Sequence, residues 1–279
     1  MSGTGIHVVT VAYNPGVELD TMLASLPAAA PGFQLHTDIV DNGSETDMVD
    51  AAASTHGASI IRPGQNLGYG PAANLAFADS DADWFLLVNP DTVFAPNAIS
   101  ALVGAAGRHP EAGVFGPQLR NTDGSVYPSA RQLPSISNGV GHAVLGPVWK
   151  NNPWTRAYHG NTDEEHACGW LSGACLLIRP EAFREVGGFD PEYFMFFEDV
   201  DLGRKMTEEG WQSVYVPSAV VTHEQGVSWK KKPARMIQAH HESAAKYIAS
   251  AYPGKTNILV RGAITSGLKL RAKWMTRDS

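Results

Sequence analysis

An amide and a carboxylate one residue apart, Asn89-Pro90-Asp91, follow directly on the apolar run Trp84 to Val88. Oxygen donors at the carboxyl edge of a sheet are suited to a hard divalent cation. Such a cation can neutralise the charge that grows on a diphosphate leaving group as its bond breaks. The same residue types also make ordinary turns. A second acidic group, Glu198-Asp199-Val200-Asp201, ends the aromatic run Tyr193-Phe194-Met195-Phe196-Phe197. A carboxylate among rings holds its proton more tightly than one in water and can serve as a general base. Acids also favour the first turn of a helix for electrostatic reasons alone. Read together, the two clusters describe an enzyme that grips a diphosphate through a metal and withdraws a proton from an acceptor.

Other groups fit around this pair. Asp41-Asn42-Gly43-Ser44 could accept a hydrogen bond from a base or a ribose, or make a plain Asx turn. The loop Asn66 to Asn74 reads Asn-Leu-Gly-Tyr-Gly-Pro-Ala-Ala-Asn and runs into a predicted helix. Its small residues permit close approach of backbone to a ligand, and a helix N-terminus favours phosphate. Arg62 precedes this loop and could pair with phosphate. His223 follows the apolar Val220-Val221 and could complete a metal shell. His240 and His241 are expected on a surface helix and receive no role.

These groups need elements to position them. Apolar, β-branched runs predict strands at 6–12, 33–40, 58–62 and 84–88. Helices are expected from Asn14-Pro15, with Asn14 as cap, and over 47–55, 71–78 and 96–107. Alternating strands and helices imply a parallel sheet with crossovers and ligands at the carboxyl ends of its strands. The first turn reads Ala12-Tyr13-Asn14-Pro15 instead of a glycine fingerprint, which argues against NAD or FAD. From residue 116 the pattern changes. Asp123-Gly124 predicts a hairpin between 118–120 and 126–127. Residues 131–166 have no clear period, 167–179 read as strand, 199–209 as helix, 211–217 as strand and 232–252 as helix. The organisation expected is a catalytic unit over 1–227, divided into a nucleotide half (1–115) and an acceptor half (116–227), followed by a basic helical extension over 228–279.

The 279 residues are 43% hydrophobic and 18% charged, which supports a substantial core. Cys168 and Cys175 lie in an apolar stretch at no zinc spacing and read as buried free thiols. The formal charge of −7 is uneven. Residues 228–279 carry eleven Lys/Arg against two acids, a net +9, and the remainder carries −16. At 100° per residue, Arg261, Lys269, Lys273 and Arg277 share one face of the last segment, with Trp274 among the apolar residues opposite. Such a helix suits an anionic membrane surface or docking on the body. The acidic body argues against nucleic acid. With no basic-apolar leader and no run long enough to span a bilayer, the expected location is the cytoplasm, peripheral on the inner face of the membrane.

Five ordered segments then carry a resemblance: Val9-Thr10-Val11-Ala12-Tyr13-Asn14, Asp41 to Ser44, Asn66 to Asn74, Asn89-Pro90-Asp91, and Phe196-Phe197-Glu198-Asp199-Val200-Asp201-Leu202. Over roughly 6–223 the chain resembles the inverting family-two glycosyltransferases. It looks most like bacterial rhamnosyltransferases, especially actinobacterial ones that act on polyprenyl-diphosphate-linked N-acetylglucosamine in building the linker between peptidoglycan and arabinogalactan. The resemblance implies an α/β GT-A fold, with a Rossmann-like, mostly parallel central sheet flanked by helices. It places a dTDP-sugar donor on Thr10, Tyr13, Asp41, Arg62 and Asn66, with Gly68 and Asn89 beside them. It implies Mn²⁺ or Mg²⁺ on Asp91 with His223, and Asp199 as base. The acceptor is expected at Glu198, Trp170 and Phe194. One departure stands out: the usual metal motif is Asp-x-Asp, and Asn89 fills its first position here.

Two other readings bear weighing. A sugar nucleotidyltransferase would want a glycine-rich phosphate loop with Arg and Lys after the first strand, and this sequence has none there. A non-catalytic sugar-nucleotide-binding module would not need Asp199. A homo-oligomer stays open.

Overall fold

The computed structural model describes residues 4–134, 162–224 and 233–254, with the isolated positions 262, 266 and 267. The basic face expected over 261–277 and most of the irregular 131–166 stretch fall outside the described residues.

The core is one ten-stranded sheet. Its parallel half contains β1 (Gly5–Ala12), β2 (Gln34–Asp41), β3 (Ser59–Ile61) and β4 (Trp84–Val88), in the order β3-β2-β1-β4. The order continues through β11 (Cys175–Ile178), β6 (Ala112–Arg120), β12 (Gln212–His223) and β5 (Thr92–Phe94). β6 and β12 run parallel to one another, whereas β11 and β5 are antiparallel to their neighbours. The mostly parallel expectation therefore holds, with β11 reversed inside this order and β5 reversed at its end. β7 (Val126–Tyr127) closes the predicted hairpin on β6, pairing Tyr127 with Leu119. The segment expected as one strand over 167–179 is broken into β9 (His166–Cys168), β10 (Trp170–Leu171) and β11, and β10 pairs with β8 (Ala130–Arg131).

Strand residues point alternately to two helical layers, as the period of two requires. Ile6, Val8, Leu86 and Val88 pack with α1 (Glu18–Ala29), α2 (Met48–His56) and α4 (Ala98–Arg108). Val9, Val11, Phe85 and Leu87 pack with α3 (Tyr69–Phe77), α5 (Pro180–Glu185) and α6 (Glu198–Glu208). Phe77 and Phe85 stack with centroids 4.4 Å apart, fixing α3 on the sheet. α7 (Pro233–Ala251) covers a smaller cluster of Trp170, Tyr193, Val200 and Tyr247.

Asn14 does not cap α1. It sits at φ 48° in the left-handed region, and the helix begins at Glu18 after Val17. Its N–H donates to Ser44 Oγ at 3.0 Å, and its Oδ1 accepts from Glu45 N at 2.8 Å. A cross-strand bridge between two loops wins over the local cap because Asn tolerates positive φ and offers both donor and acceptor. Both cysteines are free, and burial pushes the Cys168 thiol up to about 12 and Cys175 higher still.

Candidate active site

The carboxyl ends of β1, β2 and β4 share one edge, and the predicted donor-side residues lie along it. Thr10 is fully buried, and its Oγ1 has no hydrogen-bond partner among the described residues. Tyr13 is exposed beyond the strand end. Asp41 ends β2 and is buried. Burial drives its proton affinity up, but the Ser44 N–H and hydroxyl and the Arg62 guanidinium outweigh this and hold it below the usual carboxylate range. The Ser44 N–H is 2.9 Å from Asp41 Oδ1, and Arg62 Nε is 3.2 Å from Oδ2. Arg62 also donates to Asp50 at 2.6 Å, so its charge is matched by two carboxylates.

Asn42 is a residue to which the sequence assigned no role of its own. Its Nδ2 donates to Asn66 Oδ1 at 2.9 Å and to Gly68 O at 3.2 Å, and its Oδ1 accepts from Leu67 N at 2.8 Å. It thus ties the end of β2 to the loop entering α3. Gly68 has φ +90°, and a Cβ there would run into the Phe194 carbonyl. That carbonyl accepts from Tyr69 N at 3.0 Å. Glycine is therefore required here for contact with the aromatic run as well as for its dihedral angle.

The aromatic run reaches the acids through two strained residues. Phe196 and Phe197 sit at φ 68° and 65°, a conformation costing on the order of 1–3 kcal/mol for a non-glycine residue. α7 holds them there. Ser243 Oγ donates to Met195 O at 2.8 Å, and the His240 ring contacts Phe196 and Phe197 at 5.5 and 5.3 Å. His240, left without a role by the sequence, is a buttress of this turn.

The turn delivers Asp199 onto backbone. Gly173 N donates to its Oδ2 at 2.9 Å and Val200 N to its Oδ1 at 2.8 Å. Burial raises the proton affinity of Asp199, and these two N–H groups with the nearby Arg131 oppose it without reversing it. Glu198 is buried, its Oε2 has no hydrogen-bond partner among the described residues, and burial together with the Asp199 charge pushes it up to about 8. Both carboxyls of the pair are thus raised, and two backbone N–H groups favour charge on Asp199 that Glu198 Oε2 has no partner to match. Arg131 stacks on Tyr127 and on Trp170, at 5.4 and 5.1 Å from the ring centroids. The predicted acceptor residue Trp170 is buried, whereas Phe194 is exposed.

Asp91 lies in the turn between β4 and β5, and His223 is the last residue of β12. His223 Nε2 is 3.1 Å from Asp91 Oδ1 and 3.3 Å from Asn89 Nδ2. Strand β5 brings them together, because its antiparallel pairing sets His223 against Thr92. An oxygen of Asp91, an imidazole nitrogen and the Asn89 amide thus converge on one point, a donor set that fits a divalent cation completed by diphosphate oxygens.

The two centres meet across Tyr69. Its hydroxyl donates to Gly173 O at 2.7 Å, and Gly173 in turn holds Asp199. Asn89 N donates to Ala174 O at 2.9 Å, the residue after Gly173. Burial first, then Glu198, Asp199, Cys175 and Asp91, hold the Tyr69 proton well above its ordinary range. Asp91 and Asp199 therefore both lie near enough to Tyr69 for their charges to act on its hydroxyl. Only the fold reveals this use of Tyr69, since its partner is 104 positions away.

With the geometry in place, its relatives can be set beside it. Residues 7–187 match the profile described as Glycosyl transferase family 2. The chain belongs to that family. This glycosyltransferase is 44% identical, over 98% of its length and 94% of the relative's, to the N-acetylglucosaminyl-diphospho-decaprenol L-rhamnosyltransferase of Mycobacterium tuberculosis. It is 21% identical to the Escherichia coli K12 rhamnosyltransferase WbbL over 88% of its length and 92% of WbbL. Two solved structures share its GT-A fold. GalNAc-T7 with UDP, GalNAc and Mn²⁺ superimposes with a TM-score of 0.65 at 16% identity, covering 88% of this chain and 48% of that one. The mannosyltransferase PcManGT of Pyrobaculum calidifontis, in complex with GDP-Man and Mn²⁺, gives 0.60 at 13% identity, covering 98% and 72%.

The Glu198 environment has a consequence for stability. Its folded proton affinity is raised, so between the ordinary glutamate value near 4.5 and about 8 the folded protein holds a proton that the unfolded chain has released. Stability therefore falls as pH rises through that window. In Glu198→Gln this decline becomes shallower, measured as the urea midpoint from pH 5 to pH 8. An unchanged slope would contradict the buried, protonated state of Glu198.

Proposed function

We propose that this glycosyltransferase transfers L-rhamnose from dTDP-L-rhamnose to N-acetylglucosaminyl-diphospho-polyprenol, with inversion, in assembly of the peptidoglycan–arabinogalactan linker. The observation that carries the reading is the 44% identity, over nearly the whole of both chains, with a relative whose name states that acceptor and sugar. The donor nucleotide sits along Thr10, Tyr13, Asp41 and the Asn66–Gly68 loop in this reading. Asp91 and His223, beside Asn89, hold Mn²⁺ or Mg²⁺, which would supply charge neutralisation to the diphosphate. Asp199 takes the proton from the acceptor hydroxyl as that oxygen attacks the anomeric carbon, while Glu198 keeps its own proton and stays neutral beside it. Trp170, Phe194 and Glu198 line the acceptor side. Purified protein given dTDP-L-rhamnose and a short polyprenyl-diphospho-N-acetylglucosamine should form the rhamnosylated lipid, seen by mass spectrometry. Product from another dTDP- or UDP-sugar, and none from dTDP-L-rhamnose, would favour the related reading of a polysaccharide glycosyltransferase with a different donor.

A lipid acceptor calls for attachment to a membrane. No helix among the described residues is long and apolar enough to cross one. The +9 segment over 228–279 is the proposed contact with an anionic inner leaflet. Removing the residues after Tyr252 should lower co-sedimentation with phosphatidylglycerol vesicles. Full retention in the truncated protein would remove that role.

A further inference from the structure

Toward the amino edge of the sheet, away from the carboxyl edge along which the predicted donor-side residues lie, two histidines and an aspartate meet. His7 of β1 is paired in register with His36 of β2, and Asp38 lies two residues further along β2 on the same face. Ala12 at the carboxyl edge lies five positions beyond His7 on β1, about 16 Å of strand. His7 and Asp38 are buried, and the His36 side chain is 66% exposed. His7 Nε2 is 2.9 Å from Asp38 Oδ2, and His36 Nε2 is 3.2 Å from Asp38 Oδ1. The three ligating atoms lie within 4.8 Å of one another.

We propose that His7, His36 and Asp38 form a structural cation site for a zinc-class ion, separate from the catalytic metal. Three arguments support it. Two imidazoles and one carboxylate, with a fourth position open, are a donor set suited to Zn²⁺. Tetrahedral coordination with bonds of about 2.0–2.1 Å sets its ligands roughly 3.3 Å apart, and each histidine Nε2 already lies near that distance from one of the two Asp38 oxygens. The exposed His36 is free to rotate so that both nitrogens meet one Asp38 oxygen. Finally, the other His7 nitrogen is already held, because Nδ1 is 2.8 Å from Ser80 Oγ just beyond α3. A hydroxyl accepting from Nδ1–H leaves the Nε2 lone pair aimed at the site, the arrangement in which an outer partner fixes the tautomer of a metal-bound histidine. A bound ion would then clamp β1 to β2 and, through Ser80, to the end of α3. Hydrogen bonds alone would also join two imidazoles to one carboxylate, and the experiment separates the two cases.

The probe is ZnCl₂ titrated into EDTA-treated full-length protein against a chromophoric chelator. An Asp91→Ala background removes the catalytic ion from the comparison. Asp91→Ala should bind one equivalent of zinc, and Asp91→Ala/His36→Ala should bind it more weakly by at least the roughly 10–100-fold that loss of an outer partner alone costs. His36 is exposed, so its removal leaves the fold intact, which circular dichroism checks. Zinc should also raise the melting temperature of the single variant and not of the double. Equal affinity in the two variants, or no binding in Asp91→Ala, overturns the site.

Discussion

Asp199→Asn should abolish transfer while leaving nucleotide binding intact. The carboxylate is held by Gly173 N–H and Val200 N–H, so an amide of the same shape fits, but it cannot accept the acceptor proton. Loss of general-base help costs about 10²–10⁴-fold in kcat, or about 3–5 kcal/mol of transition-state stabilisation. An amide facing two donors must turn its NH₂ toward one of them, so the loss should lie at the upper end. The pH profile offers a second readout. Burial raises Asp199, so the acid limb of kcat/KM should lie above the ordinary aspartate range. The check is initial rate against pH together with dTDP binding by calorimetry. A variant that turns over normally would remove Asp199 from its role. Glu198 is the residue to compare, because the Asp199 charge acts on it and its own carboxyl is raised to about 8.

Asp91→Ala should remove the metal dependence of donor binding. Asp91 supplies the only carboxylate at the convergence of Asn89 and His223 among the described residues. Its loss leaves a neutral amide and an imidazole, a poor set for a hard cation. The affinity of dTDP measured with Mn²⁺ should fall by at least the roughly 10–100-fold that loss of an outer-shell partner costs. Affinity measured in EDTA should barely change. Asp91→Asn repeats the test with less disturbance of packing. Because His223 is half of an Asp91 pair, His223→Ala should move in the same direction by a smaller amount. An identical Mn²⁺ effect on wild type and variant would relocate the cation.

Much of this architecture could be read from local pattern. The strand Trp84–Val88 begins and ends where its apolar run does, because a strand buried on both faces has no reason to extend further. The hairpin at Asp123-Gly124 follows from turn chemistry alone. The acid pair was visible because carboxylates after five mostly aromatic residues are out of place on a wetted surface. Other features were hidden for a physical reason. Strand β5 has three residues and exists through pairing with β12, more than 120 positions later, yet it is what carries His223 to Asp91. The reversed strand β11 lies between β4 and β6 and brings Gly173 beneath Asp199. Tyr69, Asn42 and His240 gain their roles from partners distant in the sequence, so no window of local spacing exposes them. Asn14 misled for the opposite reason. Asn before Pro is a good local cap signal, and a tertiary bridge to Ser44 and Glu45 overrode it.

The most direct measurement is the anomalous difference map of crystals grown with dTDP and Mn²⁺. The account predicts a manganese peak bonded to Asp91 and His223, the diphosphate on its open side, and the Asp199 carboxylate facing the same cavity across Tyr69. A nucleotide-bound manganese that touches neither Asp91 nor His223, or a diphosphate on a face that Asp199 does not reach, would contradict it.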